Sequence, residues 1–170
     1  MKLAVVLLLS CLAAQLPLPT LAQEEKGGPS GQAVKTVGAD ARVLDSVLGV
    51  RIGTSIEEAH AKLKDLGTVG GRATRDGGRK EAWTLKKTEF NSIAYKTDAR
   101  GRVVWVTGFV REGQEIPFER LGDLTRAHAS GETEVAWNVV TEEGDYRLVA
   151  KGPNRRARVV YLLSLAEGKR

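Results

Sequence analysis

The stretches GRVVWVTGF, residues 101–109, and ARVVYLLSL, residues 157–165, share the order Arg-Val-Val-aromatic. Both are rich in β-branched and aromatic residues, which is typical of strands. Similar strand-like segments precede them, because Ala82-Trp83 has a counterpart in Ala136-Trp137 and Tyr95-Lys96 in Ala150-Lys151. The recurrence predicts that the chain contains two copies of one unit, at residues 39–112 and 113–166.

Each unit is predicted to contain a helix followed by three strands. In GTSIEEAHAKLKDLG, residues 53–67, Ser55 and Glu58 form a capping box, apolar residues recur at helical spacing and Gly67 ends the helix. In IPFERLGDLTRAHA, residues 116–129, Pro117 stands where a second helix would begin, and Gly122 is expected to make this helix shorter or broken. The Gly/Arg-rich residues 68–80 are predicted to form a long loop.

The strands predict how the two units combine. They are EAWTLK (81–86), NSIAYKT (91–97) and residues 102–110 in the first unit, and EVAWNVV (134–140), YRLVAK (146–151) and residues 157–165 in the second. One unit is too small to cover its own apolar face. The predicted fold is therefore α+β, with two tandem helix-strand-strand-strand repeats forming one antiparallel sheet and the helices packed on one face. Trp137 and Val159 are predicted to lie in one core shared by both repeats.

The N-terminal sequence indicates export. Lys2, an apolar run and Thr20-Leu21-Ala22 are typical of a secretory signal peptide spanning residues 1–22. Residues 23–38 are polar and Gly-rich, which favours a flexible tether. We therefore expect an extracytoplasmic protein, periplasmic or secreted. The alternative is a lipoprotein anchored through Cys11, because the preceding Leu-Leu-Ser loosely resembles a lipobox.

The charge pattern suggests an anionic partner. The 170-residue chain has a net charge of +5, and basic residues cluster near two predicted turns. The second turn carries Lys151, Arg155, Arg156 and Arg158, and the first carries Arg100 and Arg102. We predict that these six residues contact a partner, with both turns on the same edge of the sheet. Outside the cytoplasm this partner is an envelope protein or an anionic envelope surface, not nucleic acid.

No residue pattern indicates catalysis. The two histidines, His60 and His128, have no metal-ligand spacing, and His60 lies at the margin of the first helix's buried face. No nucleophile motif and no phosphate-binding loop in the correct context is present. We therefore expect no catalytic residues, no metal site and no cofactor, and the predicted segments contain no transmembrane helix. The sequence leaves the oligomeric state open.

A family resemblance is carried by four segments. They are Gly49-Val50-Arg51-Ile52-Gly53-Thr54, the helix ending at Leu66-Gly67, Trp83-x-Leu85, and Tyr95 through Asp98 to Gly101-Arg102-Val103. Together they resemble the SmpA/OmlA (BamE-type) envelope domain, over about residues 43–110. The tandem arrangement is similar to the β-lactamase-inhibitor-protein-like fold. The chain departs from the family pattern where Thr54 follows Gly53 directly and where no proline follows Gly67.

The resemblance implies a function in protein binding. A non-enzymatic scaffold or stabiliser of envelope proteins is the expected role. The alternative is an inhibitor that presents its sheet to a secreted or periplasmic enzyme.

Overall fold

The computed structural model describes residues 36–37, 43–75, 77–142 and 144–165. The predicted signal peptide and Cys11 lie outside these residues, as does most of the predicted tether. The elements, in chain order, are β1 (Thr36–Val37), α1 (Ile56–Leu63), β2 (Gly67–Arg75), β3 (Gly78–Leu85), β4 (Phe90–Thr97), β5 (Val103–Val110), β6 (Ile116–Pro117), β7 (Ala129–Ser130), β8 (Glu134–Val139), β9 (Tyr146–Lys151), β10 (Arg156–Ala157) and β11 (Val159–Ser164).

Most of these strands form one large sheet. Its order is β1-β8-β9-β11-β5-β4-β3-β2, with β7 also paired to β8, and β6 pairs with β10 in a separate two-stranded sheet. All pairs are antiparallel except that of β1 with β8. Strands β5 and β11, which contain the two Arg-Val-Val-aromatic stretches, are neighbours and join the two halves.

The predicted α+β class is wrong. In the described residues the fold is mostly β, and α1 is the one α-helix. The second predicted helix is replaced by two short 3₁₀ turns, Phe118–Arg120 and Leu124–Arg126. The order helix-strand-strand-strand therefore does not recur, and the described part of the chain has no pair of helices on one face of the sheet.

Trp137 packs against the middle of the segment in which the second helix is expected, at Gly122 and Asp123. A Cβ at Gly122 would lie 3.0 Å from the Trp137 ring, so a larger residue there would require the indole to shift by a few tenths of an ångström. The indole Nε1 donates to the carbonyl oxygen of Asp123 at 2.8 Å, and the same oxygen accepts the backbone N–H of Arg126 at 3.2 Å in the second 3₁₀ turn. Gly122 has low helix propensity, and the segment that contains it packs closely against Trp137 as 3₁₀ turns instead of a continuous helix.

The first helix forms as the sequence predicts, although it is shorter. Ser55 caps α1, and both hydrogen bonds of the capping box with Glu58 are present. The helix ends at Leu63 with Lys64 as its C-cap, and Gly67 begins β2 instead of ending the helix. The Gly/Arg-rich segment predicted to be a loop is largely strand, because its residues pair with β3 from Gly67 to Arg75.

The strand registers of the two halves can be compared directly. Trp83 lies opposite Ile93, and Trp137 lies opposite Leu148, so these pairs occupy matching positions. Following each ladder one strand further leads from Ile93 to Gly108 and from Leu148 to Leu162. Gly108 and Leu162 therefore occupy matching places in the sheet and are 54 residues apart in the sequence, whereas the Arg-Val-Val stretches are 56 residues apart. The ladder between β4 and β5 contains irregularities, which accompany this two-residue difference.

The core lies on one face of the sheet, which we call the inner face. Trp83, Tyr95, Val106, Leu148 and Leu162 contribute to it, and α1, residues 43–52 and the first 3₁₀ turn pack against it. Trp137 is fully buried there, as predicted. Val159 lies on the opposite face and is half-buried, so its predicted place in the core is wrong.

Candidate functional site

The predicted binding residues of the second turn are largely paired with acidic neighbours. Lys151 Nζ lies 2.7 Å from Glu134 Oε2, and this hydrogen bond raises the pKa of Lys151. Arg155 Nη2 lies 3.2 Å from Glu119 Oε1. Ion pairs this exposed contribute little to stability. They do, however, reduce the positive charge that the turn presents.

The remaining two arginines of this turn contact Glu115. Arg158 Nε lies 3.5 Å from the Glu115 carboxylate, and Arg156 Nη2 donates to the Glu115 carbonyl oxygen at 2.8 Å. Both arginines are exposed. The structure therefore brings all four predicted residues of the turn to one end of the sheet, among acidic groups.

Arg100 and Arg102 lie at the other end. Strands β5 and β11 run antiparallel, with Val159 opposite Phe109 and Leu163 opposite Trp105. The turn before β5 and the turn before β11 are therefore at opposite ends of the sheet, and the expectation of a shared edge is wrong. Arg102 donates to the Gly53 carbonyl oxygen at 3.2 Å and lines an open cleft of about 370 Å³ with Lys62 and Glu58.

A buried carboxylate forms the most unusual polar feature of the described residues. Glu81, in β3, is fully buried on the inner face, beside Trp83. Its Oε2 accepts a hydrogen bond from Tyr95 Oη at 2.5 Å and lies 2.6 Å from His60 Nε2, which therefore carries the hydrogen in this contact. The side chains come from β3, β4 and α1, so the tertiary fold alone brings them together.

Two arginines approach the other oxygen of Glu81. Arg72 Nε lies 3.1 Å and Arg79 Nε 3.2 Å from Oε1. Arg72 is opposite Glu81 across the β2–β3 pair, and Arg79 precedes Glu81 by two residues on the same strand. We call Glu81, Tyr95, His60, Arg72 and Arg79 the Glu81 cluster.

The cluster keeps Glu81 ionised although it is buried. Burial opposes ionisation, but hydrogen bonds from Tyr95 and His60, together with the charges of His60 and Arg72, outweigh it and lower the pKa of Glu81. The pKa of Tyr95 is raised, first by burial and then by its bond to the Glu81 carboxylate. The phenol therefore remains a hydrogen-bond donor at neutral pH.

The face of the sheet opposite the core, the outer face, is rich in large apolar side chains. Trp105 and Phe109 of β5 lie beside Leu163 and Val159 of β11, and Tyr161 stands between these two. All five are at least partly exposed, and Phe109 is 42% exposed. They occupy the two strands at the centre of the sheet, and the position opposite Tyr161 on β5 is the buried Thr107.

Basic side chains border this outer face on one side. Lys80, Lys96 and Trp105 are consecutive across β3, β4 and β5. Lys80 Nζ lies 5.2 Å from the centre of the Trp105 ring, within the range of a cation–π contact. In the same cross-strand row, Arg147 donates to Asn138 Oδ1. The outer face thus combines an aromatic centre with a basic border.

No protein family model, curated protein or solved structure matches this chain. Within residues 36–37, 43–75, 77–142 and 144–165, no group of three or more histidine, cysteine or acidic side chains is placed to hold a metal ion. The described helices are also too short or too polar to cross a membrane.

Sequence reasoning missed the Glu81 cluster, although one signal was present. In EAWTLK the alternation that puts Trp83 and Leu85 on the apolar face also puts Glu81 there. A charged residue on an apolar face indicates a paired or functional group. Its partners on α1 and β2 could not be identified, because they depend on how the helix and the hairpin pack.

Proposed function

We propose that this chain is a non-enzymatic protein-interaction module of the bacterial envelope, a scaffold or stabiliser, which acts outside the cytoplasm and binds its partner through the outer face. The observation that carries the proposal is the group of half-exposed apolar residues at the centre of that face: Trp105, Phe109, Val159, Tyr161 and Leu163. Extended exposed apolar patches on otherwise polar surfaces are typical of interaction sites.

The composition of the outer face supports binding to a folded protein. Aromatic side chains contribute a large part of the binding energy at many interfaces, because they bury a large area and lose little conformational entropy. Trp105, Phe109 and Tyr161 stand on paired strands, so the sheet already holds them in position. A partner would therefore meet a preorganised surface, which reduces the entropy lost on binding.

The charges indicate the chemistry of the partner. Lys80 and Lys96 border the aromatic centre, and charges at the rim of an interface accelerate association with an oppositely charged surface. We therefore propose a protein partner with an apolar centre and an acidic rim. The expected location in the envelope depends on the N-terminal residues 1–22, whose sequence is typical of a signal peptide.

Affinity capture from envelope extracts tests the proposal when it is followed by measurement with the purified partner. Replacing Trp105 and Tyr161 by alanine should remove about 2 kcal/mol or more each, which lowers affinity at least about 30-fold per residue. Val140→Ala is the matched control, because Val140 is 44% exposed and lies beyond the end of β8. Lys80→Glu with Lys96→Glu should mainly slow association.

The identity of the partner distinguishes the two candidate roles. Recovery of an envelope assembly protein or membrane protein supports the scaffold, whereas recovery of a soluble enzyme whose activity falls on binding supports the inhibitor. A partner that binds the Trp105→Ala/Tyr161→Ala variant as tightly as the original protein would show that the outer face is not the binding surface.

A further inference from the structure

In the Glu81 cluster, two partly exposed arginines lie next to a fully buried carboxylate. The Glu81 side chain is 0% exposed, whereas those of Arg72 and Arg79 are 52% and 40% exposed. A group that approaches from solvent therefore meets the two guanidinium groups before it meets the carboxylate. Because one carboxylate compensates only one of the two positive charges, the accessible part of the cluster has an excess of positive charge.

The arginine donors are not used by Glu81. Although both Nε atoms lie close to Oε1, this oxygen accepts no hydrogen bond in the described part of the chain. The contacts are ion pairs whose N–H groups are not directed at the oxygen. Each guanidinium has five N–H donors, so the pair presents many donors toward a region that solvent reaches.

The second half of the chain argues against a purely structural role for the cluster. In the first half, Glu81 lies opposite Tyr95; at the matching position in the second half, Val135 lies opposite Ala150, and both are fully buried. The sheet therefore accommodates apolar residues at this place. Replacing buried ion pairs by apolar residues is often neutral or stabilising, so the stability of the fold does not require a carboxylate here.

We propose that Arg72 and Arg79, which form ion pairs with the buried Glu81 carboxylate, form a binding site for an oxyanion group, either phosphate or carboxylate. The planar guanidinium presents parallel N–H donors that match the spacing of oxygens in both groups. His60 lies at the edge of the site, with a half-buried ring whose Nε2 is held by Glu81. This site lies on the inner side of the β2–β3 hairpin and is independent of the proposed outer-face interaction.

Titration of the purified protein with sodium phosphate and, separately, with sodium acetate tests the site, at constant ionic strength maintained with sodium chloride. Binding is followed by backbone amide chemical shifts and by the increase in melting temperature that ligand binding produces. We expect saturable shifts confined to the neighbourhood of Arg72, Arg79 and His60. The anion that produces them, phosphate or acetate, identifies the group that the site accepts.

Variants separate site binding from general charge. Arg72→Gln with Arg79→Gln should abolish the shifts, whereas Arg100→Gln with Arg120→Gln removes the same charge from exposed positions elsewhere and should leave binding unchanged. Arg72→Lys keeps the charge and loses the guanidinium fork, so it should weaken binding severalfold without unfolding the protein. If neither anion gives saturable shifts, or if both double variants weaken binding equally, the proposed site does not exist.

Discussion

At the scale of single residues, Glu81 determines much of the local electrostatics. Its carboxylate is ionised in a place where the matching residue of the other half is valine, and it holds side chains from α1, β2 and β4. An ionised buried group is tolerated only where hydrogen bonds and opposite charges replace its hydration. The cluster supplies both, and its arginines remain accessible at the surface.

The lowered pKa of Glu81 makes the stability of the protein depend on pH. Because the folded-state pKa lies below the ordinary value of 4.5, the ionised carboxylate contributes stability that is complete above pH 4.5 and is lost as pH falls through the folded-state pKa. Glu81→Gln should therefore reduce the free energy of unfolding by about 1–3 kcal/mol at neutral pH. The difference from the original protein should narrow as the pH falls below 4.5.

Urea denaturation at a series of pH values measures this effect. Glu58→Gln is the control, because the pKa of Glu58 is also lowered, mainly by its hydrogen bond to the Ser55 backbone, but the side chain is exposed on α1. Glu58→Gln should not produce the large decrease in the free energy of unfolding that Glu81→Gln produces at neutral pH. If both variants lost the same free energy of unfolding at every pH, Glu81 would not be the source of the pH dependence of stability.

At the scale of elements, local signals succeed where no distant group competes with them. The capping box of Ser55 and Glu58 forms as its spacing predicts, and Gly101 has a φ of 73° in the turn before β5. The second helix has a proline at its expected start, yet the segment forms two 3₁₀ turns around Gly122, which has low helix propensity and packs against Trp137. The first half has a complete local helix signal, whereas in the second half a glycine and close tertiary packing coincide and the helix is absent.

Strand β5 depends on close packing at Gly108. A Cβ at this residue would lie 2.7 Å from the Phe90 ring and 2.9 Å from Val47, both in the core. Gly108→Ala should therefore lower the free energy of unfolding by about 1–3 kcal/mol through overpacking. Thermal and urea denaturation measure the change.

Gly71→Ala is the matched control for this effect. Gly71 is an exposed strand residue of β2 at which a Cβ would meet nothing within 4 Å. It should be neutral or slightly stabilising, because alanine reduces the conformational freedom of the unfolded chain. A large decrease in the free energy of unfolding for Gly71→Ala, or no decrease for Gly108→Ala, would contradict the packing argument.

At the scale of the whole molecule, the pairing of β5 with β11 makes one structure from two halves. The core joins Trp83 and Tyr95 from the first half to Trp137 and Leu162 from the second. Because these residues form one cluster, we expect cooperative unfolding without a stable half-molecule. The outer face also exists only in the assembled sheet, since its aromatic residues come from both β5 and β11.

Trp137→Ala tests the cooperation of the two halves. Trp137 is fully buried, and its removal should cost about 3–5 kcal/mol. Far-ultraviolet circular dichroism and tryptophan fluorescence should give coincident unfolding curves for the original protein and the variant. Two separated transitions would show that the halves unfold independently.

Most of the local elements could be predicted from the sequence. The alternation of apolar residues located β9 at Tyr146–Lys151, and placed β4, β5 and β8 to within a residue or so at each end. The Gly/Arg-rich segment was misassigned because its residues have weak intrinsic strand preference. Its β2 conformation arises from pairing with β3, a partner that a local pattern does not reveal.

Residues that are close along the chain are sufficient to specify the capping of α1, the turn at Gly101 and the alternation of the main strands. The assembled fold is needed to establish which strands are neighbours, that the basic turns lie at opposite ends of the sheet, and that Glu81 contacts Arg72, Arg79 and His60. These features join residues from separate elements. Their energies come from burial and pairing that exist only once the sheet has assembled, so no local pattern encodes them.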